Sequence, residues 1–250
     1  MIGLVIVSHS PRLADAAVEL AMQMVHGAPP PIRIAAGVDG GFGTDAAAVA
    51  AAIDEVGAAA DVTGVLVIPD LGSAVLSAGL ALEFRESSTE VVVSPGPFAE
   101  GITAGLVLAA TGAPLEEVAR EVAAALDAKR AQSEPSPLPS PEPSSGSPRV
   151  STDPLSADEV LVNPEGLHAR PAAMFVQAVG DYDALVDVTN LTTGAGPVTA
   201  KSLIGLLSLG AKQGHRIRLD GRGPDAATAV SALRGLLVDG FGEVAATATP

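Results

Sequence analysis

Two of the four histidines, His9 and His168, stand directly before predicted helices that carry a proline in their first turn. His9 lies in IVSHSPRL, between a short apolar strand and a helix that begins at Pro11. The first turn of a helix has unpaired N–H groups and a partial positive charge, so it can bind the oxygens of a phosphoryl group carried by the imidazole. A single histidine is more often an ordinary polar loop residue, but the same setting twice favours phosphohistidine chemistry. His26 and His215 lack this setting and are interpreted as a helix-end residue and a turn residue.

Each of these two histidines has a candidate supporting residue. Asp70, in VLVIPDLGSA, follows the third predicted strand, and a parallel sheet would bring it towards His9. There it would accept a hydrogen bond from one ring nitrogen and raise the nucleophilicity of the other. Capping of the following helix would explain Asp70 equally well. Arg170, two residues after His168, would add a charge-assisted contact to a phosphoryl group on that histidine.

Several other chemistries are excluded by what the sequence lacks. There is no cysteine, so disulfides, thiolate nucleophiles and zinc sites of the cysteine type are excluded. The segment GPVTAKS has Ala200 where a phosphate-binding loop needs glycine. Ser8 and Ser10 flank His9 without the G-x-S-x-G elbow of a hydrolase, so we count them as supporting residues of the His9 site. We therefore predict no metal site and no cofactor bound by this chain.

Charge and hydropathy limit the classes of partner that the chain can bind and the place where it works. The 250 residues include 29 acidic and 14 basic side chains, a formal charge of −15. This balance argues against nucleic acid and anionic lipid as partners, since both need a basic surface. The longest uncharged stretch, 101–115, has 15 residues, fewer than the roughly 18 of a spanning helix. With no basic residue leading the apolar start, we predict no signal peptide and a cytoplasmic location.

The chain divides at a segment that can bury little. Residues 131–148 contain 12 serines or prolines in 18 positions, so we predict a linker over 131–154. It separates a front domain (1–130) from a rear domain (155–250) and is expected to leave the rear domain mobile. The front domain alternates strand and helix signals, which predicts an α/β fold with a parallel sheet and helices on both faces. The rear domain, with short strands and three helices, is predicted to be a small α+β sandwich.

The rear domain resembles a known family. LVNPEGLHARPAAMFVQAV, followed by AKSLIGLLSLGAKQG, is similar to HPr, the histidine phosphocarrier of the bacterial phosphoenolpyruvate-dependent phosphotransferase system (PTS). The resemblance implies an open-faced sandwich in which His168 is phosphorylated and Arg170 supports it. It also places Ser202 where some HPr proteins are phosphorylated by a regulatory kinase.

The front domain resembles the mannose-type EIIA domain through LVIVSHSPRLADAAVELA, IAAGVDGGFGTDA and PDLGSAVLSA. Joined to an HPr-like domain, it is more closely similar to the DhaM family, the phosphoryl-donor subunits of PTS-dependent dihydroxyacetone kinase. This resemblance implies that His9 is the reactive histidine, that Asp70 orients it, and that the front domain forms a homodimer. A separate Enzyme I would then load His168.

The implied activity is that of a phosphotransferase subunit acting as a relay. Enzyme I would phosphorylate His168 at Nδ1, and the group would pass to Nε2 of His9. ADP held with magnesium on the subunit DhaL would receive it, while the subunit DhaK holds dihydroxyacetone. Two alternatives stay open, namely an EIIA–HPr fusion serving a sugar permease and a regulatory binding module controlled by phosphorylation.

Overall fold

The computed structural model describes residues 1–25, 27–133 and 155–243, the side chains of 127–133 excepted. His26 and most of the predicted linker, 134–154, lie outside the described residues. The last front-domain helix continues to Ser133, so it includes the first three residues that the composition assigned to the linker.

The front domain is a four-stranded parallel sheet with helices on both faces, as predicted. Its strand order is β2-β1-β3-β4. The elements of this domain are β1 (Ile2–Ser8), α1 (Pro11–Met22), β2 (Ile32–Ala36), α2 (Ala46–Gly57), β3 (Gly64–Pro69), α3 (Gly72–Phe84), β4 (Glu90–Val93), α4 (Phe98–Ala110) and α5 (Leu115–Ser133).

Strand β1 is buried on both faces, which explains its uninterrupted apolar sequence. Leu4 and Ile6 point into a core shared with α1, α4 and α5. Val5 and Val7 point into a second core under α2 and α3. Because the carboxyl ends of parallel strands meet at one edge, β1 and β3 deliver the residues that follow them to the same place.

The rear domain is an antiparallel sheet of order β5-β8-β6-β7 with helices against it, as the HPr resemblance implied. Buried residues alternate with more exposed ones along β6 and β8, and the buried ones share a core with α6 and α8. The elements are β5 (Leu155–Val160), α6 (Ala169–Gly180), β6 (Leu185–Asn190), β7 (Ala195–Thr199), α7 (Leu203–Ser208), β8 (Arg216–Arg222), α8 (Ala226–Asp239) and a final 3₁₀ turn (Gly240–Gly242).

The two domains contact each other. Helices α4 and α5 of the front domain pack against α6 and α7 of the rear domain, and apolar residues of both domains belong to one continuous core. The linker composition predicted a mobile rear domain, whereas the structure shows it docked. Packing between helix faces that lie far apart in sequence left no local signal for this contact.

Candidate active site

His9 occupies a two-residue link between β1 and α1. Ser10 is the N-cap of α1, and its Oγ accepts a hydrogen bond from the N–H of Leu13 at 3.3 Å. Pro11 takes the first helical position, where its missing N–H costs nothing. A serine cap contributes about 1 kcal/mol to helix stability. This start of α1, predicted from the sequence, fixes the main chain on which His9 is carried.

Asp70 is bound to His9 through both of its carboxylate oxygens. Strands β1 and β3 pair Val7 with Pro69, so the next residues of each strand lie side by side. Asp70 Oδ1 is 2.8 Å from Nδ1 of His9, and Oδ2 accepts from the backbone N–H of His9 at 2.9 Å and from Ser8 Oγ at 2.8 Å. Helix α3 takes Leu71 as its N-cap residue, so capping does not account for Asp70.

The environment of Asp70 keeps its carboxyl group ionised. Burial is the largest single influence and opposes the charge, but hydrogen bonds from His9, Ser8 and Leu71 outweigh it and lower the pKa of Asp70. An ionised acceptor beside Nδ1 requires the proton of the neutral imidazole to be on Nδ1. The lone pair is then on Nε2, the nitrogen turned away from the carboxylate.

Ser73 is a member of this site that sequence reasoning missed. Its Oγ lies 2.6 Å from Nε2 of His9, so its hydroxyl donates to the lone pair there. Ser73 stands three residues after Asp70, at the second position of α3, and this spacing was the signal that could have identified it. The His9 side chain is 25% exposed, which leaves Nε2 accessible to another protein.

A glycine-rich loop, residues 37–43, packs beside His9. The N–H of Gly43 donates to the carbonyl of His9 at 2.9 Å, and the N–H of Gly37 donates to that of Ser8 at 3.3 Å. The loop presents Phe42, whose side chain is 84% exposed. The loop beside His9 therefore presents an exposed apolar residue of the kind found at protein contacts.

His168 is the N-cap residue of α6 and is held by a tight approach of two backbone segments. The N–H of Leu167 donates to the carbonyl of Ala211 at 2.9 Å. Gly166 has a φ of +71°, and a Cβ there would lie only 2.3 Å from the oxygen of Ala211. Glycine is required at this position because no side chain fits, and the approach fixes where α6 begins.

Glu243 supplies the carboxylate of the His168 site, and no sequence signal indicated it. Its Oε1 lies 2.9 Å from Nε2 of His168, and its Oε2 accepts from Nδ2 of Asn163 at 3.0 Å. The preceding 3₁₀ turn is anchored by Phe241, which is buried with its ring 5.5 Å from that of Phe175 on α6. Among the described residues, no carboxylate contacts the other ring nitrogen of His168, Nδ1.

The start of α6 offers donors beside His168. Within the described part of the chain, the backbone N–H groups of Ala169 and Arg170 have no hydrogen-bond partner. The Arg170 side chain is exposed and forms no ion pair with any described residue. The structure thus places Arg170 near His168 without a contact to it, and its supporting role stays a prediction.

The remaining candidate, Ser202, has no described hydrogen bond to either histidine. It caps α7 by accepting from the N–H of Gly205 at 2.8 Å, and it donates to the carboxylate of Glu121 in the front domain at 2.9 Å. His215 contacts Asn190 within the rear domain, with 3.0 Å between their side-chain nitrogens. The described residues contain no cluster of three or more side chains suited to a metal ion. They also include no helix with the length and apolar character needed to cross a bilayer.

Comparison with known proteins gives matches for both domains. Residues 3–127 match the family described as "PTS system fructose IIA component", and residues 155–239 match "PTS HPr component phosphorylation site". The chain is 38% identical over 248 residues to "PEP-dependent dihydroxyacetone kinase, phosphoryl donor subunit DhaM" of Klebsiella michiganensis, covering 97% of this chain and 51% of that protein. It is 39% identical over 257 residues to the protein of the same name from Escherichia coli K12, covering 100% and 52%.

The chain thus spans about half the length of these curated relatives. Among solved structures, the HPr-C-His protein of Thermoanaerobacter tengcongensis is 37% identical, with 36% of this chain and 98% of that chain covered and a TM-score of 0.33. The order of the two matched segments is the order that the resemblance to DhaM implied. The chain belongs to the PTS fructose IIA component family, with an HPr domain following it as in the DhaM phosphoryl-donor subunits that it resembles.

Proposed function

We propose that this chain is a phosphohistidine relay that carries a phosphoryl group from phosphoenolpyruvate, through His168 and then His9, to a dihydroxyacetone kinase. One observation carries the proposal. Each domain holds one histidine at the start of a helix, with one ring nitrogen bound by a carboxylate and the other turned away from it. That arrangement prepares an imidazole to form and release a bond to phosphorus.

In the first step, an Enzyme I-type phosphoprotein transfers its phosphoryl group to Nδ1 of His168. Glu243 accepts a hydrogen bond from the N–H at Nε2 of His168, so the lone pair of the ring is on Nδ1. The free N–H groups of Ala169 and Arg170 bind the phosphoryl oxygens, and the Arg170 guanidinium adds a charge-assisted contact. The donor loses its bond to phosphorus as the bond to Nδ1 forms.

In the second step, Nε2 of His9 attacks the phosphorus atom carried by His168. The bond to Nδ1 of His168 breaks, and its electron pair returns to that nitrogen. Nδ1 of His9 keeps its hydrogen and donates it in a hydrogen bond to Asp70. The negative charge of Asp70 stabilises the positively charged ring that forms. Ser73 gives up its hydrogen bond to Nε2 and is placed to donate to a phosphoryl oxygen instead. Positioning and charge stabilisation do most of the work in such a transfer.

In the third step, phosphorylated His9 passes the group to ADP on a DhaL-type subunit, which then phosphorylates dihydroxyacetone held by a DhaK-type subunit. The sequence similarity to two DhaM proteins supports this choice of acceptor over a sugar permease. In this proposal the acceptor holds the nucleotide and its magnesium ion.

We also propose that the front domain forms a homodimer through α3. Along this helix, Leu76, Leu80 and Phe84 follow one another at intervals of four and are all exposed, with Leu76 75% accessible. Residues at this spacing lie on one side of a helix and form a continuous apolar row. A second copy presenting the same row would cover it with a two-fold interface.

The experiment is a labelling series with radioactive phosphoenolpyruvate, purified Enzyme I, DhaK, DhaL and dihydroxyacetone. The intact chain should carry label and produce dihydroxyacetone phosphate. The variant His168→Ala should accept no label, whereas His9→Ala should carry label only on His168 and produce no dihydroxyacetone phosphate. His215→Ala is the matched control, since it removes an imidazole outside both sites.

Two outcomes would contradict the relay. Dihydroxyacetone phosphate made by the His9→Ala variant would show that His9 is not the donor to the kinase. Label that reaches His9 of the intact chain but never ADP would favour a permease component or a regulatory module instead.

A further inference from the structure

We infer that α4–α5 of the front domain and α6–α7 of the rear domain form a docking interface, fastened by Glu121, that holds the rear domain in a resting position between transfers. We call this contact the docking interface. Its existence is independent of the proposed function, and only its effect on the relay rests on that proposal.

The docking interface combines apolar burial with complementary polar contacts. Leu203 and Ile204 of α7 are almost fully buried, at 1% and 7% exposure. At the other side of the interface, the Gln177 side-chain amide of α6 donates to the carbonyl of Met24 at 2.9 Å. A cavity of about 180 Å³ between the domains is lined by Val176 and Gly180 of α6 and by the turn that joins α4 to α5. Both apolar and polar groups therefore lose solvent when the domains dock.

Glu121 is the centre of the polar contact. Its Oε1 accepts the backbone N–H of Ile204 at 2.6 Å, and both its oxygens lie 2.9 Å from Ser202 Oγ. Ser202 in turn caps α7. A carboxylate of the front domain thus completes the hydrogen bonding of a helix start in the rear domain, over a separation of more than 80 residues.

Desolvation weakens the same contact. Burial, the largest influence on Glu121, raises the pKa of its carboxyl group despite the hydrogen bonds from Ile204 and Ser202. Desolvation therefore disfavours the ionised carboxylate in the interface relative to water. It cancels part of the stabilisation that the hydrogen bonds contribute. A contact of this kind specifies the docked geometry and leaves the docking reversible.

Two of the docking contacts, those at Met24 and Thr111, lie away from the end of the sheet that carries His9. Helices α1 and α4 both start where the strands end and run back to the opposite edge, so Met24 and Thr111 lie near that opposite edge. The seven residues of β1 put roughly 20 Å between the edges. On α4, Val107 near the docked end is buried, whereas Ala99 at the end nearer His9 is exposed. No hydrogen bond links the two histidine sites within the described residues, and in this proposal the rear domain leaves the docked position for transfer.

A reversible cross-link tests the docking itself. A Cβ on Gly180 would lie 3.1 Å from the Cβ of Thr111, close to the roughly 3.5–4.5 Å of a disulfide. The chain has no cysteine, so the double variant Thr111→Cys/Gly180→Cys holds only this pair. Mild oxidation should convert it to a monomeric disulfide-linked form, seen by non-reducing electrophoresis and mass spectrometry. The two single variants are the controls, and failure of the double variant to cross-link would overturn the inference.

The oxidised double variant also tests the effect on the relay. Its His168 should still be labelled by Enzyme I and phosphoenolpyruvate, while transfer to His9 should fall at least 10-fold. Dithiothreitol should restore transfer in the same sample. Undiminished transfer in the oxidised form would show that docking is not a resting position. Loss of His168 labelling even after reduction would count against the proposed function rather than the docking.

A charge pair tests the fastening by Glu121. Ser202→Asp keeps a good helix cap but brings a second carboxylate against Glu121, so cross-linking of the double cysteine variant should slow at least 5-fold. Adding Glu121→Gln should restore the rate, because the repulsion is removed. Ser208→Asp, on an exposed position of the same helix, should leave the rate unchanged. Equal cross-linking rates in all variants would show that Glu121 does not fasten the interface.

Discussion

At the residue scale, the two histidines are held by opposite ring nitrogens. Asp70 binds Nδ1 of His9, and Glu243 binds Nε2 of His168. The nitrogen that the carboxylate does not contact therefore differs, Nε2 in the front domain and Nδ1 in the rear domain. These are the two nitrogens that react in the proposed relay.

Asp70→Asn should slow transfer to His9 by about 10- to 100-fold, the usual effect of removing a carboxylate that orients an imidazole. The amide retains the shape of the side chain but lacks the negative charge that stabilises the phosphorylated ring. Rapid-quench measurement of label on His9 checks this, with His168 labelling unchanged. Asp45→Asn, at the cap of α2, is a matched control in the same domain. A rate equal to that of the intact chain would leave Asp70 with only a structural role.

Glu243→Ala should slow loading of His168 several-fold and change its product. Without the carboxylate, the hydrogen of the ring is free to occupy either nitrogen, so phosphorus should appear on both. Nitrogen-15 and phosphorus-31 NMR of the labelled protein distinguish the two isomers. The control is Glu165→Ala, which removes an exposed acidic side chain from the loop that precedes His168. A single Nδ1 product from Glu243→Ala would show that Glu243 does not select the nitrogen.

At the element scale, the helices and strands that could be predicted are those marked by a local run of apolar residues or by a local helix cap. The apolar runs of β1 and β2 and the Ser10–Pro11 start of α1 predicted these elements almost to the residue. Strand β5 is an edge strand with mostly exposed residues, so no apolar run marks its bounds. Strand β7 carries Gly196 and Pro197, which are typical of turns and which an edge strand tolerates.

The supporting residues show the same division. Asp70 could be predicted because parallel strands end at a common edge. Ser73 stands three residues after Asp70 and could have been found by the same argument. Glu243 and Glu121 could not, because each contact depends on how one helix or turn packs against a distant segment. Sequence periodicity gives which side of a helix is apolar, but not which partner covers it.

The exposed row on α3 gives a prediction for that element. Leu76→Glu places a charge at the most exposed member of the row, so the proposed homodimer should dissociate. Sedimentation velocity or light scattering should show the mass of one chain instead of two. Val238→Glu, which changes an isolated exposed apolar residue on α8, should leave the mass unchanged. A monomeric intact chain at every accessible concentration would contradict the dimer.

At the scale of the whole molecule, the segment between the domains should act as a tether. A chain cleaved at a protease site introduced near Pro143 should still transfer phosphoryl groups, since each domain has its own sheet and helices. A flexible tether of this length gives an effective concentration in the range of about 1 mM. At micromolar protein the intact chain should therefore transfer much faster, and the difference should vanish as concentration rises. Equal rates at micromolar concentration would mean that the tether has no part in the relay.

The place of Glu243 has a consequence for how the molecule matures. The side chains of Asp70 and Ser73, which contact His9, belong to the front domain, whereas His168 meets its carboxylate only through a turn anchored by Phe241 against α6. During synthesis, which proceeds from the N-terminus, the contacts of the proposed receiving histidine can therefore form before those of the proposed donor. In the proposed relay, a prematurely terminated chain would hold a receiver without a donor, and it would divert no phosphoryl group from Enzyme I.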